Sequence, residues 1–138
     1  MTAPAIVWFR QDLRLADQAA VAAASSEGPW LGVYVLDDAA PGCWAIGAAQ
    51  RWWLHHSLTA LGANLAAKGG RLILRRGDTI TEIRTVADTI GAGRVHALRH
   101  YEPWWQDAEH AVAGTCELRL HDGARLAAPG GGTCLERA

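Results

Sequence analysis

The sequence predicts an α/β domain of three layers, a five-stranded and mainly parallel sheet with helices on both faces. Two observations carry this expectation. Short apolar runs of strand length alternate with longer runs of helical periodicity through most of the 138 residues. Helix-starting and helix-stopping residues fall at the ends of the periodic runs. Strands that alternate with helices imply right-handed βαβ crossovers, and these force neighbouring strands to be parallel.

The elements follow in order. Ile6–Phe9 is an apolar strand, and the Ala-rich stretch Asp17–Ser25 is a helix with Asp17 as its N-cap. "WLGVYVL", Trp30–Leu36, has the Val and Tyr content that strands favour. A long helix, "AAQRWWLHHSLTALGANLAAKGG", sets Leu54, Leu58, Leu61 and Leu65 on one face and stops at Gly69–Gly70. "RLILR" is the third strand. Thr79 and Glu82 form a capping box for the next helix, whose buried stripe is Ile80, Ile83, Val86, Ala87 and Ile90. "RVHAL" is the fourth strand, "EPWWQDAEHAVA" a short helix with Pro103 in its first turn, and "CELRL" the fifth strand. Residues 1–128 thus read as one domain and 129–138 as a Gly-rich tail.

Composition narrows the function classes. A domain of this length buries roughly 65–70% of the surface its unfolded chain exposes. The 13 basic and 14 acidic residues leave a net charge of −1, so no autonomous nucleic-acid binding is expected. No apolar run approaches the ~20 residues that span a bilayer, and the N-terminus has no secretory pattern. Cys43, Cys116 and Cys134 are odd in number and form no CxxC pair. Free thiols and a cytoplasmic location are therefore expected.

In an open parallel sheet, ligands bind beyond the carboxyl ends of the strands. Arg10 to Arg14, Asp37, Asp38, Arg76 to Asp78 and Arg99 to Glu102 all lie there. Arg51 precedes Leu54 by three residues and Leu58 by seven, so it shares their sheet-facing stripe. A guanidinium in that position needs an ion-pair partner, with Asp37 or Glu102 suitable, or a ligand; the two are compatible. Other signals are weaker. His55 and His56 point about 100° apart on a helix, and His96 and His100 find no third metal ligand, so no metal is expected. The serines lack a nucleophile elbow, and Gly130–Gly132 is not a P-loop; no catalytic residue is assigned. Of the pairs Trp52–Trp53 and Trp104–Trp105, one member each is expected in the core.

"VWFRQDLRLAD", Val7 to Asp17, closely resembles the opening motif of the DNA photolyase and cryptochrome family. Similar landmarks follow in the right order: "VYVLD" ending at Asp37, "RWWLHHSLTAL" from Arg51, "LRRGD" ending at Asp78, "YEP" at Tyr101–Pro103, and "LHDGARLAAPG". The resemblance implies the family's Rossmann-like or flavodoxin-like N-terminal domain, which carries a light-harvesting antenna chromophore. It also implies that the FAD and the DNA lesion belong to a helical domain outside this chain. Such a domain, alone, is not expected to perform the family's deoxyribodipyrimidine photo-lyase reaction, the light-driven repair of pyrimidine dimers.

The antenna residues implied by the resemblance are Phe9, Arg10, Leu36, Asp37, Arg51 and Glu102, binding a deazaflavin or an FMN/FAD-type flavin. Folate is disfavoured, because Trp104–Trp105 stands where folate-binding members carry an Asn-Glu pair. Gln18 replaces an Asn and weakens the expected cap after Asp17. "QDAEH" replaces an Arg-rich helix ending, so a structural charge pair is expected to be lost. The partner implied is a separately encoded helical half, or a second copy of the chain. The competing readings are a small ATP- or AMP-binding module, although no Gly-rich loop follows the first strand, and a truncated remnant that binds nothing.

Overall fold

The computed structural model describes residues 4–10, 13, 15, 18–37, 47–100 and 102–121. The expectations that fall on Asp12, Arg14, Asp17, Asp38, Cys43, Tyr101 and residues 122–138, including the domain boundary at 128, lie outside them. Among the described residues, strands β1 (Ala5–Phe9), β2 (Trp30–Leu36), β3 (Leu72–Arg76), β4 (Arg94–Leu98) and β5 (Glu117–His121) alternate with helices α1 (Ala19–Glu27), α2 (Ala48–Ala67), α3 (Thr79–Ile90) and α4 (Pro103–Ala113). The strands form one sheet in the order β3-β2-β1-β4-β5, with every pairing parallel.

Alternation along the strands divides the core in two. Ile6, Trp8, Val33, Val35, Val95 and Ala97 pack with Ile83, Val86 and Ala87 of α3 and Val112 of α4. Val7, Phe9, Tyr34 and Leu98 pack on the other face with Ala20, Val21 and Ala24 of α1 and Leu61 and Leu65 of α2. β1, flanked by β2 and β4, is buried at all five positions, which is why its sequence is an uninterrupted apolar run. Each fully buried side chain of this kind stabilises by roughly 1.5–3 kcal/mol.

Three local expectations are corrected. α1 is capped by Gln18, whose Oε1 accepts from the Val21 N–H at 3.0 Å. The cap thus falls one residue beyond Asp17, and the Gln carboxamide, a methylene longer than Asn, still reaches the first turn. α3 is capped by Asp78, whose Oδ2 accepts from Thr81 N at 3.2 Å and Thr81 Oγ1 at 2.8 Å. A charged acceptor at that end also meets the positive pole of the helix. Thr79 is drawn inside the helix and no Thr79–Glu82 capping box forms. Gly91, at φ 73°, closes α3 in the left-handed region where glycine carries no Cβ penalty.

The third correction concerns the tryptophans. Trp52 and Trp53 are both exposed, at 57% and 66%, because the sheet-facing stripe is taken by Leu54, Leu58, Leu61 and Leu65. Their side chains lie about 200° and about 100° round the helix from Leu54. Their rings pack edge-on against each other at 5.0 Å. On α4, Trp104 and Trp105 are both half-buried, and Trp105 packs against the core beside Trp8. Among the described residues no helix is long and apolar enough to cross a membrane. Cys116 is a half-buried free thiol whose pKa is raised, chiefly by burial.

Candidate functional site

In the strand order β3-β2-β1-β4-β5 the direction of winding reverses between β1 and β4. The crevice at their carboxyl ends is where this architecture receives ligands. Arg10 sits there, immediately after β1. Its Nη1 donates to Glu109 Oε1 of α4 at 2.7 Å, and its Nη2 donates to the Leu98 carbonyl at the end of β4. The guanidinium carbon lies 4.4 Å from the centre of the Trp8 ring and 5.4 Å from that of Trp105. Ion pair and rings together exclude water: the Arg10 and Glu109 side chains are 1% and 8% exposed. Both indole N–H groups are buried, with no acceptor among the described residues. That cost accompanies the presentation of ring faces, rather than ring edges, to the cation. Glu109 Oε1 also accepts from the His100 N–H at 3.2 Å, which ties the loop after β4 to α4.

"QDAEH" thus supplies a buried charge pair of its own, through Glu109. Sequence reasoning missed this residue. Its signal was a carboxylate on the buried stripe of α4, four residues after Trp105 and three before Val112.

The other rim residues divide between the two faces. Asp37 turns towards α3, where its Oδ2 accepts from both Thr79 N and Thr79 Oγ1 at 3.1 Å. Gly77 N donates to the Leu36 carbonyl at 3.0 Å, holding the β3 exit against that of β2. Phe9 and Leu36 lie on the α2 face with Leu54 and Leu58. Phe9 is 1% exposed, whereas Leu36, Leu54 and Leu58 are half-buried. Arg51 stands half-buried in the first turn of α2, on the stripe of those leucines. Glu102 is the N-cap residue of α4 and half-buried, and its carboxylate makes no capping bond to that helix. The structure thus gathers Phe9, Leu36 and the Arg51 stripe on one side, and commits Arg10 and Asp37 to α4 and α3 on the other.

The family model for DNA photolyase matches residues 5–133. The chain belongs to the DNA photolyase family. Over 112 residues it is 44% identical to the deoxyribodipyrimidine photo-lyase of Agrobacterium fabrum, covering 80% of this chain and 23% of that protein. Over 99 residues it is 36% identical to Cryptochrome-1 of Arabidopsis thaliana, covering 71% of this chain and 14% of the relative. Among solved structures, a bacterial class III photolyase from Agrobacterium tumefaciens superposes with a TM-score of 0.79 at 38% identity, over 89% of this chain and 26% of that one. A Synechocystis cryptochrome gives the same TM-score at 26% identity, with 89% of this chain and 28% of that one covered. The chain therefore spans 14–28% of these relatives, and corresponds to the photolyase N-terminal α/β domain.

A second polar cluster in this photolyase-family domain lies on the α1 face of β4 and β5. Glu27 Oε2, at the end of α1, accepts from Arg94 Nη1 at 2.8 Å and meets His96 Nε2 at 2.9 Å. Its Oε1 lies 3.5 Å from Arg119 Nη1. Hydrogen bonds from Arg94 and then His96 pull the Glu27 carboxyl down from 4.5 to about 2. A carboxyl held lower in the folded than in the unfolded state stabilises the fold fully above the unfolded value. That contribution disappears as pH falls through the folded value. The urea midpoint of the wild type is therefore expected to drop between about pH 4.5 and about pH 2 more steeply than that of Glu27→Gln. Equal slopes in the two titrations would show that the Glu27 interactions contribute nothing to acid stability. Among the described residues, no group of three or more His, Cys, Asp or Glu side chains is placed to hold a metal ion.

Proposed function

We propose that this chain is an antenna domain, binding a deazaflavin or an FMN/FAD-type flavin on the α2 side of the carboxyl rim. In this reading it acts with a helical FAD-binding half in the light-driven repair of pyrimidine dimers. The observation that carries it is Arg51, a half-buried residue in the first turn of α2 that shares the helical stripe of the half-buried Leu54 and Leu58. A planar chromophore with polar edges needs that combination: apolar walls, a few aimed charges and partial access to solvent. Leu36, Leu54 and Leu58 would form the wall, Arg51 would meet a carbonyl or anionic edge, and Glu102 would accept from ring or chain donors. Arg10 and Asp37, fixed to α4 and α3, would hold the rim rigid. A bound chromophore of this class supplies absorption of light and transfer of excitation; the protein supplies its position.

Titration of the purified chain with 5-deazaflavin, FMN, folate and ATP tests this, followed by tryptophan quenching and difference absorbance. Saturable binding of a deazaflavin or flavin is expected, weakened at least tenfold in Arg51→Ala, the loss of one charge-assisted bond of about 1.5–3 kcal/mol. Tight binding of ATP alone would make the chain a nucleotide-binding module, and binding of none of the four would overturn the antenna reading.

A further inference from the structure

Between Asp38 and Asp78 the sequence holds no acidic residue, yet five of the 13 basic residues fall there: Arg51, Lys68, Arg71, Arg75 and Arg76. The fold collects four of them on β3 and the turn before it, where Lys68, Arg71, Arg75 and Arg76 are all exposed. Among the described residues neither Lys68 nor Arg71 is in an ion pair, and Arg75 meets Glu82 only at 4.0 Å. We propose that the outer edge of β3 is a docking site for an extended, acidic peptide segment of a partner protein, which adds to the sheet as a further strand.

The main chain of β3 is set for this. Among the described strands β3 pairs only with β2. Gly32 N donates to the Arg71 carbonyl at 3.1 Å, and Gly77 N donates to the Leu36 carbonyl at 3.0 Å. The odd-numbered residues of this stretch therefore turn their main-chain groups towards β2. In a parallel strand the alternate residues turn theirs the other way, so those of Leu72 and Leu74 face the open edge. Leu74, 57% exposed, stands in the middle of that edge with cations on both sides.

Side chains alternate across the sheet. Leu72 and Leu74 lie on the α2 face, while Ile73 and Arg75 lie on the α3 face, with Arg71 continuing that row. A strand laid alongside presents its side chains to the same two faces. The segment that fits carries an apolar residue beside Leu74 and, on the other face, carboxylates beside Arg71 and Arg75.

Charge decides against the other occupants. A second copy would bring its own β3 cations against these. On the far edge of the sheet Glu117 of β5 is taken up by Arg94 and Arg119, so β5 offers no complementary strand. A nucleic acid would engage the cations and leave the outward N–H and C=O groups of Leu72 and Leu74 without partners. The edge includes none of the residues proposed to hold the chromophore, so failure of either proposal leaves the other standing.

The test is an NMR titration of the nitrogen-15-labelled chain with a blocked peptide of alternating glutamate and valine. Its comparisons are a peptide of the same composition with the glutamates in one block, and an oligothymidylate of matched charge. Saturable shifts of the amides of residues 71–76 are expected with the alternating peptide. Its affinity should fall at least about tenfold in Arg71→Glu, which sets like charges together. A fall of about the same size is expected in Leu74→Pro, which removes an outward N–H and breaks no bond to β2. The block peptide needs no variant, so the outcome does not depend on the proline being tolerated. Absence of binding by the alternating peptide, equal affinity for the block peptide, tighter binding of the oligothymidylate, or the same shifts on concentrating the chain alone would each overturn the proposal.

Discussion

Replacing Glu109 by alanine is expected to destabilise the domain by about 3–5 kcal/mol, because it removes the carboxylate that stands 2.7 Å from a buried guanidinium. The Arg10 side chain is 1% exposed. The Leu98 carbonyl and the faces of Trp8 and Trp105 stay beside it, but dipoles and ring quadrupoles offset only part of a full charge. Loss of the carboxylate also removes the bond it accepts from the His100 N–H. Urea unfolding followed by tryptophan fluorescence measures the effect. A loss below about 1 kcal/mol, the range of exposed pairs, would mean that Glu109 is not what holds the Arg10 charge in place. The control is a double replacement, Arg10→Met with Glu109→Leu, which removes both charges and keeps apolar volume. It should recover most of the stability, since a buried ion pair is costly to break but not to exchange for packing.

The architecture was legible in the sequence because period and punctuation agree. Apolar runs name the strands, and the stripe Ile83, Val86 and Ala87 names the core face of α3. The observed β2 and β4 coincide with the stretches read as strands, while β3 and β5 are displaced by one residue, a shift to which local pattern is blind. What was not legible involves choice between neighbours or distance along the chain. Asp78 and Thr79 are both good caps, and only the fold, which gives Asp37 to Thr79, decides between them. Gln18 caps a helix that the pattern begins at Asp17. Trp52 and Trp53 look like core material by composition, but the leucines of α2 already fill the interior.

The rim shows the same division. That charges after β1 and β2 mark the carboxyl edge follows from topology, and Arg51 follows from helical spacing. The partner of Arg10 lies 99 residues away in sequence, across the point where the winding of the sheet reverses, and no local pattern connects the two. Without that partner Arg10 reads as a ligand-binding cation. With it, Arg10 becomes the tie between β1, β4 and α4, and the weight of recognition in the proposed antenna site moves to Arg51 on the opposite face.

Substitution of Gly32 is expected to have the next largest effect, and it joins packing to the proposed site. A Cβ at Gly32 would lie 2.9 Å from Phe9 Cε2, 3.2 Å from Leu65 Cδ1 and 3.4 Å from Leu72 Cδ1. The Phe9 ring occupies the space that any side chain on β2 would need, so glycine is required there by close approach. Gly32→Ala is expected to cost about 1–3 kcal/mol by overpacking, and Gly32→Val more. The strain falls first on Phe9, the nearest of the three and the one below 3.0 Å. Phe9 packs in the same cluster as Leu36, Leu54 and Leu58, so its displacement would deform the wall proposed for the chromophore. Shortening the ring removes the collision: Gly32→Ala with Phe9→Leu should be less destabilised than the sum of the two single changes. A strictly additive pair in urea unfolding would place the strain elsewhere. If flavin or deazaflavin affinity, where present, follows the same non-additivity, Phe9 contributes to recognition by supporting the wall, consistent with a ring that is almost wholly buried.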